Sequence, residues 1–475
     1  MASYFTTTLP YVNADPHLGH ALEFVEADVL ARTARLAGDE VFFNIGTDEH
    51  GTKVYEKAQE VGKDPQDYAD EYAARFRVFA DRLAISYNAF TRTTAPGHVG
   101  AAQQFWKRCQ TAGDIYKANY EVKYCVGCEL EKTDSELEHG RCLLHPNLEI
   151  VLIEEENYYF RFSKYQEPLL RLYDARPDFV IPEARLHEIR SFVAGGLKDF
   201  SISRRKEKLP WGVAVPDDPD HVMYVWFDAL VNYISVINWP REEGGFTKWW
   251  PGVQVAGKDN LRQQAAMWQA MLMSAGLAPS KQVFIHGFLT NGGQKMSKSL
   301  GNVIDPMVLM DTYGVDAVRY VLLRHVHPFE DSDLTEESIR EHYTANLVNG
   351  LGNFVSRVMK LAETHITKPV ELTEEDTRIE PAFLEKLAAY RFNEAMDLIF
   401  EHIAKGDEYM AEHEPFKKVK EESTKEQALA DIEKLVRRVA NVAVHLEPMM
   451  PATSKAILSA VRENKKPENL FPRLT

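Results

Sequence analysis

Apolar residues alternate between strand-like and helix-like spacing along the first sixty residues of the chain. The β-branched and aromatic run SYFTTT predicts a strand, and residues 17–38 carry apolar residues at helical spacing up to Gly38. The run EVFFNIG predicts a second strand, and residues 47–62 predict a loop and a helix. This order of strands and helices predicts an α/β fold with a doubly wound parallel sheet.

The alternation stops near residue 109 and returns near residue 223, which predicts an insertion between two halves of one domain. Residues 221–237 then predict a strand that runs into a helix, residues 254–272 another strand and helix, and residues 282–290 a further strand. From residue 336 the apolar spacing is helical throughout, which predicts an all-α bundle. The predicted division is 1–108 and 223–335 for the two halves, 109–222 for the insertion and 336–475 for the bundle.

Composition limits the class of protein. The chain has 475 residues, of which 45% are hydrophobic and 27% charged, as is usual for soluble globular proteins. It has no long apolar run and no basic-then-apolar start, so we expect no membrane segment, no secretory signal and a cytoplasmic location. The formal charge of −16 argues against a general polyanion or DNA binder but leaves a local basic face possible.

The segment HLGH places two histidines where a loop becomes a helix. A helix N-terminus favours anions, and Gly19 would let a nucleotide approach the backbone. Imidazoles of His17 and His20 could donate to a phosphate as charge builds during displacement of pyrophosphate. The alternative is two histidines that meet by chance, and this motif alone does not decide between the two.

The segment KMSKS follows a predicted strand and a glycine-rich loop. Lys295 and Lys298 could clamp the outer phosphates of a nucleotide, and Gly292 and Gly293 would let the loop move. The alternative is a solvated basic turn. A five-residue match, placed after HLGH in chain order, favours the phosphate interpretation.

Three of the four cysteines lie close together in the predicted insertion. Cys125 and Cys128 form one C-x-x-C pair, and Cys142 and His145 form a C-x-x-H pair, which suits tetrahedral Zn²⁺. Four protein ligands leave no open position, so the predicted role is structural. Three free thiols with a surface histidine, or a catalytic zinc, are the alternatives.

HLGH and KMSKS together resemble the two signatures of class I aminoacyl-tRNA synthetases. Over nearly the whole chain the resemblance is to the methionine-specific members, through LPYVNADPHLGH, GTDEHGT, CxxC–CxxH, ISR, YVWFDA, GKD, HGF and KMSKSLGNV in order. It implies a Rossmann-type catalytic domain, a connective insertion with a zinc knuckle at about 120–150, and a helical anticodon-binding domain. It also implies that L-methionine and ATP, with Mg²⁺, give methionyl-adenylate and pyrophosphate, and that the 3′ adenosine of tRNA(Met) then accepts the methionyl group.

The resemblance also implies roles for individual residues. His17 and His20 would contact the triphosphate. Lys295 and Lys298 would stabilise the departing pyrophosphate. The ATP-binding positions are Gly19, Gly257, Asp259, His286, Gly287 and Leu289. The methionine-binding positions are Leu9, Tyr11, Asp48, Arg204, Trp226, Ala229, Tyr233, Gln264 and Trp268.

Asp48 is the predicted partner of the substrate ammonium, and aromatic rings would contact the sulfur at ~0.3–1.5 kcal/mol each. The alternatives are a core tryptophan for Trp226 and a surface ion pair for Arg204. Four positions depart from the family pattern, and they put the sulfur side of the pocket in doubt: Asn260, Gln263, Gln264 (where the family has a substrate-contacting histidine) and Leu230 (where it usually has proline).

In the helical segment the resemblance places Asn353, Arg357 and Phe416 at anticodon-reading positions, with Phe416 where the family usually has tryptophan. An aromatic ring can stack on an unpaired base at ~1–3 kcal/mol. Ordinary bundle surface is the alternative for Asn353 and Phe416. No OB-fold-like extension follows the bundle, which predicts a monomer.

Three other functions compete with a methionine-specific synthetase. The valine, isoleucine and leucine synthetases carry an editing insertion larger than residues 109–222. An RNA-binding protein that had lost catalysis would not need HLGH and KMSKS. A free nucleotidyltransferase could share the first motif but would lack the helical bundle.

Overall fold

The centre of the fold is a six-stranded parallel sheet. The computed structural model describes residues 1–132, 136–241, 245–296 and 302–474. The strand order across the sheet is Ala89–Arg92, Glu40–Thr47, Ala2–Thr7, Val253–Gly257, Gln282–His286 and Val180–Ile181, with every neighbouring pair parallel. The predicted parallel α/β sheet is therefore confirmed.

The strand order reverses direction beside Ala2–Thr7. The strands Glu40–Thr47 and Ala89–Arg92 lie on one side of it, and Val253–Gly257 lies on the other. In open α/β sheets, ligands bind in the crevice at the carboxyl ends of the strands where such a reversal occurs. The helix Leu18–Leu36, whose inner face is buried, crosses over from Ala2–Thr7 to Glu40–Thr47 and begins at this crevice.

Eleven further strands and twelve helices are described outside the central sheet and before residue 336. The other strands are Ile115–Cys125, Leu130–Lys132, Leu137–Glu138, Arg141–Cys142, Ile150–Phe160, Phe200–Ser201, Ser203–Arg205, His221–Met223, Leu289–Asn291, Gln294–Lys295 and Ser332–Asp333. The helices before residue 336 are Leu18–Leu36, Thr52–Glu60, Pro65–Arg82, Pro96–Thr111, Gln166–Ala175, Glu183–Ala194, Val225–Ala229, Asn232–Ser235, Phe246–Trp249, Trp268–Ser274, Pro306–Tyr313 and Val315–Arg324. Short 3₁₀ turns cover Phe162–Tyr165 and Lys258–Asn260, and a π-helical turn covers Gln263–Met267.

Two strands differ in partner from the expected pattern. The strand predicted at residue 221 is only His221–Met223, and it pairs antiparallel with Ser203–Arg205 outside the central sheet. The apolar run that follows it forms the largely buried helix Val225–Ala229. A short apolar run is compatible with a buried strand and with a buried helix, which is why the sequence predicted too long a strand. The strand Val180–Ile181, inside the stretch predicted as an insertion, is an edge strand of the central sheet.

Helices make up the region after residue 336. They are Glu336–His342, Asn353–His365, Pro381–Ala388, Phe392–His413, Pro415–Lys418, Lys425–Leu446 and Pro451–Glu463, with a π-helical segment at Tyr343–Gly352. The predicted helical region is confirmed. Within the described ranges, no helix combines the length and the apolar character that crossing a bilayer requires.

A fully buried arginine joins this helical region to the sheet domain. Arg319 donates to the carbonyl oxygens of Met449 at 2.7 Å, Pro448 at 3.1 Å and Leu83 at 3.3 Å, and it pairs with Asp28 at 2.8 Å. Burial opposes ionisation of Asp28, but Arg319 and other donors outweigh burial and hold its pKa below the usual range. The first helix, which carries Asp28, is thus tied to the turn between the last two long helices.

Candidate active site

The HLGH segment lies where the first helix begins. His17 caps this helix: its Nδ1 accepts from the Gly19 backbone N–H at 3.1 Å, and its own backbone N–H donates to Nδ1 of His20 at 3.2 Å. The two imidazole rings stack with centroids 3.7 Å apart. Because both Nδ1 atoms accept, the proton of each neutral ring lies on Nε2, where it can be donated to a phosphate oxygen.

Gly19 is needed by the histidines themselves. A Cβ atom at this position would lie 3.0 Å from Cε1 of His17, so a larger residue would press on the capping ring. Burial, and then the neighbouring His17, lower the pKa of His20 well below its usual value. His20 is therefore a neutral donor near pH 7 rather than a cation.

The second group of predicted ATP positions lies at the carboxyl ends of two adjacent strands. Gly257 and His286 are register partners at the ends of those strands. A Cβ atom at 257 would lie 2.9 Å from Oδ1 of Asp259 and 3.5 Å from Cε1 of His286, so these three positions meet. A Cβ at Gly287 would lie 2.2 Å from the carbonyl oxygen of Glu330, which only glycine tolerates. Leu289 begins the next strand and is buried.

Glu23 connects the two groups. Its Oε1 accepts from the backbone N–H of Thr8 at 2.8 Å and from the Thr8 hydroxyl at 2.6 Å. Its Oε2 lies 3.3 Å from Nε2 of His286, whose Nδ1 is 2.8 Å from the carbonyl oxygen of Gly287. The helix that begins at His17 is thereby fixed against the strand end that carries His286.

These contacts make His286 a cation at neutral pH. Burial opposes its charged form, but the hydrogen bond to Glu23 and the charge of Glu26 outweigh burial and raise its pKa to about 9. Burial also raises the pKa of the Glu26 carboxyl to about 8, so this carboxyl is largely protonated at pH 7 and the hydrogen bond to Glu23 is the main support of the His286 charge there. Neither glutamate is in a signature motif, but a signal existed: Glu23 and Glu26 are charged residues three positions apart in the largely apolar run ALEFVEADVL.

The KMSKS segment follows a tight hairpin. Gly292 and Gly293, with φ of 62° and 72°, form the two-residue turn between Leu289–Asn291 and Gln294–Lys295, a turn that requires positive φ at both positions. The Oδ1 atom of Asp333 accepts from the Gly293 backbone N–H and from the Thr290 hydroxyl, each at 2.8 Å. The two glycines are therefore needed for the backbone conformation of the turn, whether or not they also let the loop move. Lys298 lies outside the described residues, and Lys295 is placed by its backbone pairing with Thr290.

The predicted methionine pocket is built of paired aromatic rings. Tyr11 and Trp226 meet edge to face with centroids 6.1 Å apart, and Tyr233 and Trp268 do so at 5.9 Å. Tyr233 and Trp268 are fully buried, whereas Trp226 is half-buried. Of the remaining predicted positions, Ala229 is buried and Leu9 half-buried.

Asp48 lies beside Tyr11 and among other carboxylates. Its backbone pairs with Tyr11, and its side chain is 2% exposed. Burial, and then the charges of Asp228 and Glu129, raise its pKa well above the usual value. Burial opposes ionisation of Asp228, but His50 and His98 outweigh it and lower its pKa to about 2. The excess of buried negative charge beside Asp48 favours a cationic group there.

Three of the four positions that depart from the family pattern are buried, and the fourth lies beside the predicted ATP position Asp259. Gln263 and Gln264 lie in the π-helical turn and are buried, and Leu230 is a core residue beside Tyr233. Asn260 donates to Oδ1 of Asp259 at 3.3 Å, which is on the ATP side. The amide of Gln264 belongs to a buried hydrogen-bond network.

Arg204 is buried rather than in a surface ion pair. It donates to the Ser201 hydroxyl at 2.9 Å and to the Ser203 carbonyl oxygen at 2.7 Å. Its guanidinium lies over the rings of Tyr124 and Tyr224, 5.1 and 4.7 Å from their centroids. These contacts place it at the base of the cysteine-bearing segment, and its predicted contact with methionine stays a prediction.

The predicted ligands Cys125, Cys128, Cys142 and His145 converge. Their ligand atoms all lie within 4.8 Å of one another, and Sγ of Cys128 is 3.5 Å from Sγ of Cys142 and 3.2 Å from Nδ1 of His145. Tetrahedral zinc, with Zn–S bonds of ~2.3 Å and Zn–N bonds of ~2.0–2.1 Å, separates its ligand atoms by ~3.4–3.8 Å, so the cluster fits the ion. Gly127 is required here, because a Cβ would lie 2.4 Å from the His145 ring. Cys109 is buried elsewhere.

The knuckle (residues 120–150) is attached to the amino-acid side of the crevice. The Lys53 ammonium donates to the Gly127 carbonyl oxygen at 2.8 Å, and the Lys53 backbone N–H donates to Glu129 at 3.2 Å. The Tyr224 hydroxyl donates to the Glu129 carbonyl oxygen. Lys53 lies on the helix Thr52–Glu60, shortly after Asp48 in the sequence, and Tyr224 caps the helix that carries Trp226, so the knuckle contacts the two segments that carry these predicted methionine positions.

In the helical region, Asn353 and Arg357 are exposed on one face of the same helix. Arg357 pairs with Asp407 at 3.0 Å. Phe416 is half-buried against the bundle core, with the Lys417 ammonium 5.8 Å from its ring centroid. Their contact with an anticodon stays a prediction.

Known proteins resemble this chain along its whole length. The family model for tRNA synthetases class I (M) matches residues 3–147 and 128–359. The methionine–tRNA ligase of Thermotoga maritima is 39% identical over 98% of this chain and 76% of its own length, and that of Thermosynechococcus vestitus is 41% identical over 96% and 90%. A solved Mycobacterium tuberculosis methionyl-tRNA synthetase in complex with methionyl-adenylate has a TM-score of 0.89 and 35% identity, covering 100% of this chain and 99% of that one. The chain belongs to the methionine–tRNA ligase family of class I aminoacyl-tRNA synthetases.

Proposed function

We propose that this chain activates L-methionine with ATP to give methionyl-adenylate and pyrophosphate, and then transfers the methionyl group to the 3′ adenosine of tRNA(Met). The observation that carries the proposal is the contact of Glu23 with His286. This contact joins the helix that follows HLGH to the end of the strand Gln282–His286, where the other predicted ATP-binding positions lie. The crevice they border is where open α/β sheets bind nucleotides.

For ATP, we propose that the ribose lies against Gly257 and Asp259 and the adenine beside His286, Gly287 and Leu289. The Nε2–H groups of His17 and His20, at a helix N-terminus, donate to the phosphates as charge builds during attack on the α-phosphate. Lys295 and Lys298 stabilise the departing pyrophosphate. The protein's contribution is positioning and electrostatic stabilisation without a covalent intermediate on the enzyme.

For methionine, we propose that Asp48 pairs with the α-ammonium. Its neighbours Asp228 and Glu129 add negative charge, so a cation restores the balance that the buried carboxylates lack. The side chain lies between the ring pairs Tyr11–Trp226 and Tyr233–Trp268, with Leu9, Ala229, Gln264 and Arg204 as further contacts. Flexible thioethers suit such aromatic surroundings.

Two metal ions belong to the proposal. Cys125, Cys128, Cys142 and His145 would hold one Zn²⁺, which supplies rigid cross-linking of the knuckle and no chemistry because all four positions are taken by protein. Mg²⁺ would accompany ATP and offset the charge of its phosphates. The residues of the chain orient both substrates and exclude water from the adenylate.

For tRNA, we propose that residues 336–475 are the anticodon-binding domain, with Asn353, Arg357 and Phe416 as contacts, and that residues 1–108 and 223–335 form the catalytic domain around the connective insertion. We also propose a monomer in the cytoplasm. Size-exclusion chromatography with light scattering tests whether the protein is a monomer, and cell fractionation tests whether it is in the cytoplasm.

The deciding experiment is amino-acid-dependent ATP–pyrophosphate exchange with each of the twenty amino acids, followed by charging of tRNA(Met). We expect exchange with methionine and stable attachment of methionine to the tRNA. Exchange with a different amino acid would refute the substrate. No exchange at all, with retained tRNA binding, would favour an RNA-binding protein without catalysis.

A further inference from the structure

A network of side-chain hydrogen bonds runs beneath the predicted methionine pocket, and only one of its members was predicted to be in the site. It consists of Gln254, Gln264, Gln269 and Ser280, which we call the amide relay. All four side chains are at most 1% exposed. The polar groups therefore depend on one another, since a buried amide without partners is costly.

The direction of each hydrogen bond in the relay is fixed by the backbone. The backbone N–H of Ser280 can only donate, and it donates to Oε1 of Gln269 at 2.9 Å. The amide nitrogen of Gln269 consequently donates to the Ser280 hydroxyl at 3.0 Å and to the backbone carbonyl oxygen of Gln264 at 2.7 Å. Both bonds orient the Gln269 amide in one way only.

The remaining two bonds follow. A buried hydroxyl hydrogen without an acceptor is costly, so the Ser280 hydroxyl donates to Oε1 of Gln254, 2.5 Å away. The amide nitrogen of Gln254 then donates to Oε1 of Gln264 at 3.0 Å. This leaves Nε2 of Gln264 as the end of the relay, and that buried atom has no hydrogen-bond partner among the described residues. The relay thus compels Gln264 to present a donor and not an acceptor.

The donor lies among side chains predicted to hold methionine. Gln264 lies four residues, about one helical turn, before Trp268 in the same continuous helical stretch. Tyr233 in turn packs on Trp268, at 5.9 Å between centroids. Gln264 is also in the π-helical turn Gln263–Met267, and such turns occur frequently at functional sites.

We propose that Gln269, Ser280 and Gln254 are positioning residues that make Gln264 donate its Nε2–H to the sulfur of the bound side chain, so that the site selects a thioether over its carbon isostere. This inference rests on the proposed function. A thioether sulfur is a weak acceptor. Norleucine has the same shape with a methylene in place of sulfur, so its binding leaves a buried donor unsatisfied, which corresponds to a loss of about 5- to 150-fold.

The test compares kcat/KM for methionine and norleucine in pyrophosphate exchange. In Ser280→Ala, Gln254 loses the hydrogen that orients it and can turn, and Gln264 then presents its oxygen to the substrate. We expect the methionine-to-norleucine ratio to fall about fivefold or more, through methionine alone. Ser280→Thr keeps the hydroxyl and should restore the ratio. Gln264→Leu removes the donor directly and should lower the ratio even if Ser280→Ala does not fold.

Ser454→Ala is the matched control. Ser454 is a buried serine in the helical region that donates to the Ala443 carbonyl oxygen at 2.6 Å, and its loss should leave the ratio unchanged. An unchanged ratio in both Ser280→Ala and Gln264→Leu, or an equal loss for both amino acids, would overturn the relay while leaving the proposed function intact. Absence of methionine exchange in the unmodified protein would overturn both.

Discussion

Replacing Glu23 by glutamine is expected to destabilise the protein strongly at pH 6 and weakly at pH 10. The Glu23 carboxylate accepts from Nε2 of His286 and holds that imidazole in its charged form, with a pKa of about 9. A glutamine oxygen can keep both bonds to Thr8, but its amide then faces His286 with a donor. His286 becomes neutral, and the stabilisation that its charge provided is lost.

The magnitude follows from the pKa of His286. The difference between about 9 in the folded state and 6.5 in the unfolded state corresponds to ~3 kcal/mol, at ~1.4 kcal/mol per pKa unit. Because the folded-state pKa is the higher one, this stabilisation is fully present below pH 6.5 and is lost as the pH rises through 9. Glu26 also contributes to the raised pKa, so we expect Glu23→Gln to cost ~2–3 kcal/mol at pH 6.

Thermal unfolding of both proteins at pH 6 and pH 10 measures this difference. The matched control is Glu380→Gln, because Glu380 forms a partly exposed pair with His402 at 3.1 Å. Its loss should change stability by less than ~1 kcal/mol. An equal cost of Glu23→Gln at pH 10 and at pH 6 would contradict the role of the His286 charge, since the effect would then be one of packing.

Three further predictions concern the signature, the knuckle and the core. Lys298→Ala should slow pyrophosphate exchange by about 100-fold or more while the Kd for methionine changes little, and an equal loss of both would contradict its role. Cys142→Ser should lower the zinc content from about one ion per chain to a small fraction, measured by metal analysis, and an active, metal-free protein would argue against the site. Arg319→Met leaves Asp28 buried without its main partner and should cost ~3–5 kcal/mol in thermal unfolding. The exposed pair of Arg190 provides the control, and Arg190→Met should cost less than ~1 kcal/mol.

The sequence predicted best what depends on periodicity and spacing. The helix from His17, the two strands that flank it and the parallel sheet follow from apolar patterns, and the structure has them. The cluster of Cys125, Cys128, Cys142 and His145 follows from ligand spacing alone. Such features are local, so neighbouring residues in the sequence carry the information.

The sequence did not predict what depends on contacts between distant residues. Glu23 meets His286 across 263 positions, and Ser280 orients Gln254 across 26. No periodic pattern contains such pairs. The short strand at His221 was also misplaced, because a continuous apolar run is compatible with a central strand and with buried helix alike.

The buried Arg319 has a consequence for the order in which the protein folds during synthesis. Its acceptors include Asp28 near the start of the chain and the carbonyl oxygens of Pro448 and Met449 near its end. A nascent chain therefore holds the Arg319–Asp28 pair without two of its three carbonyl acceptors until almost all of the described sequence has left the ribosome. The helix Leu18–Leu36 therefore reaches its final environment only after Pro448 and Met449 have left the ribosome.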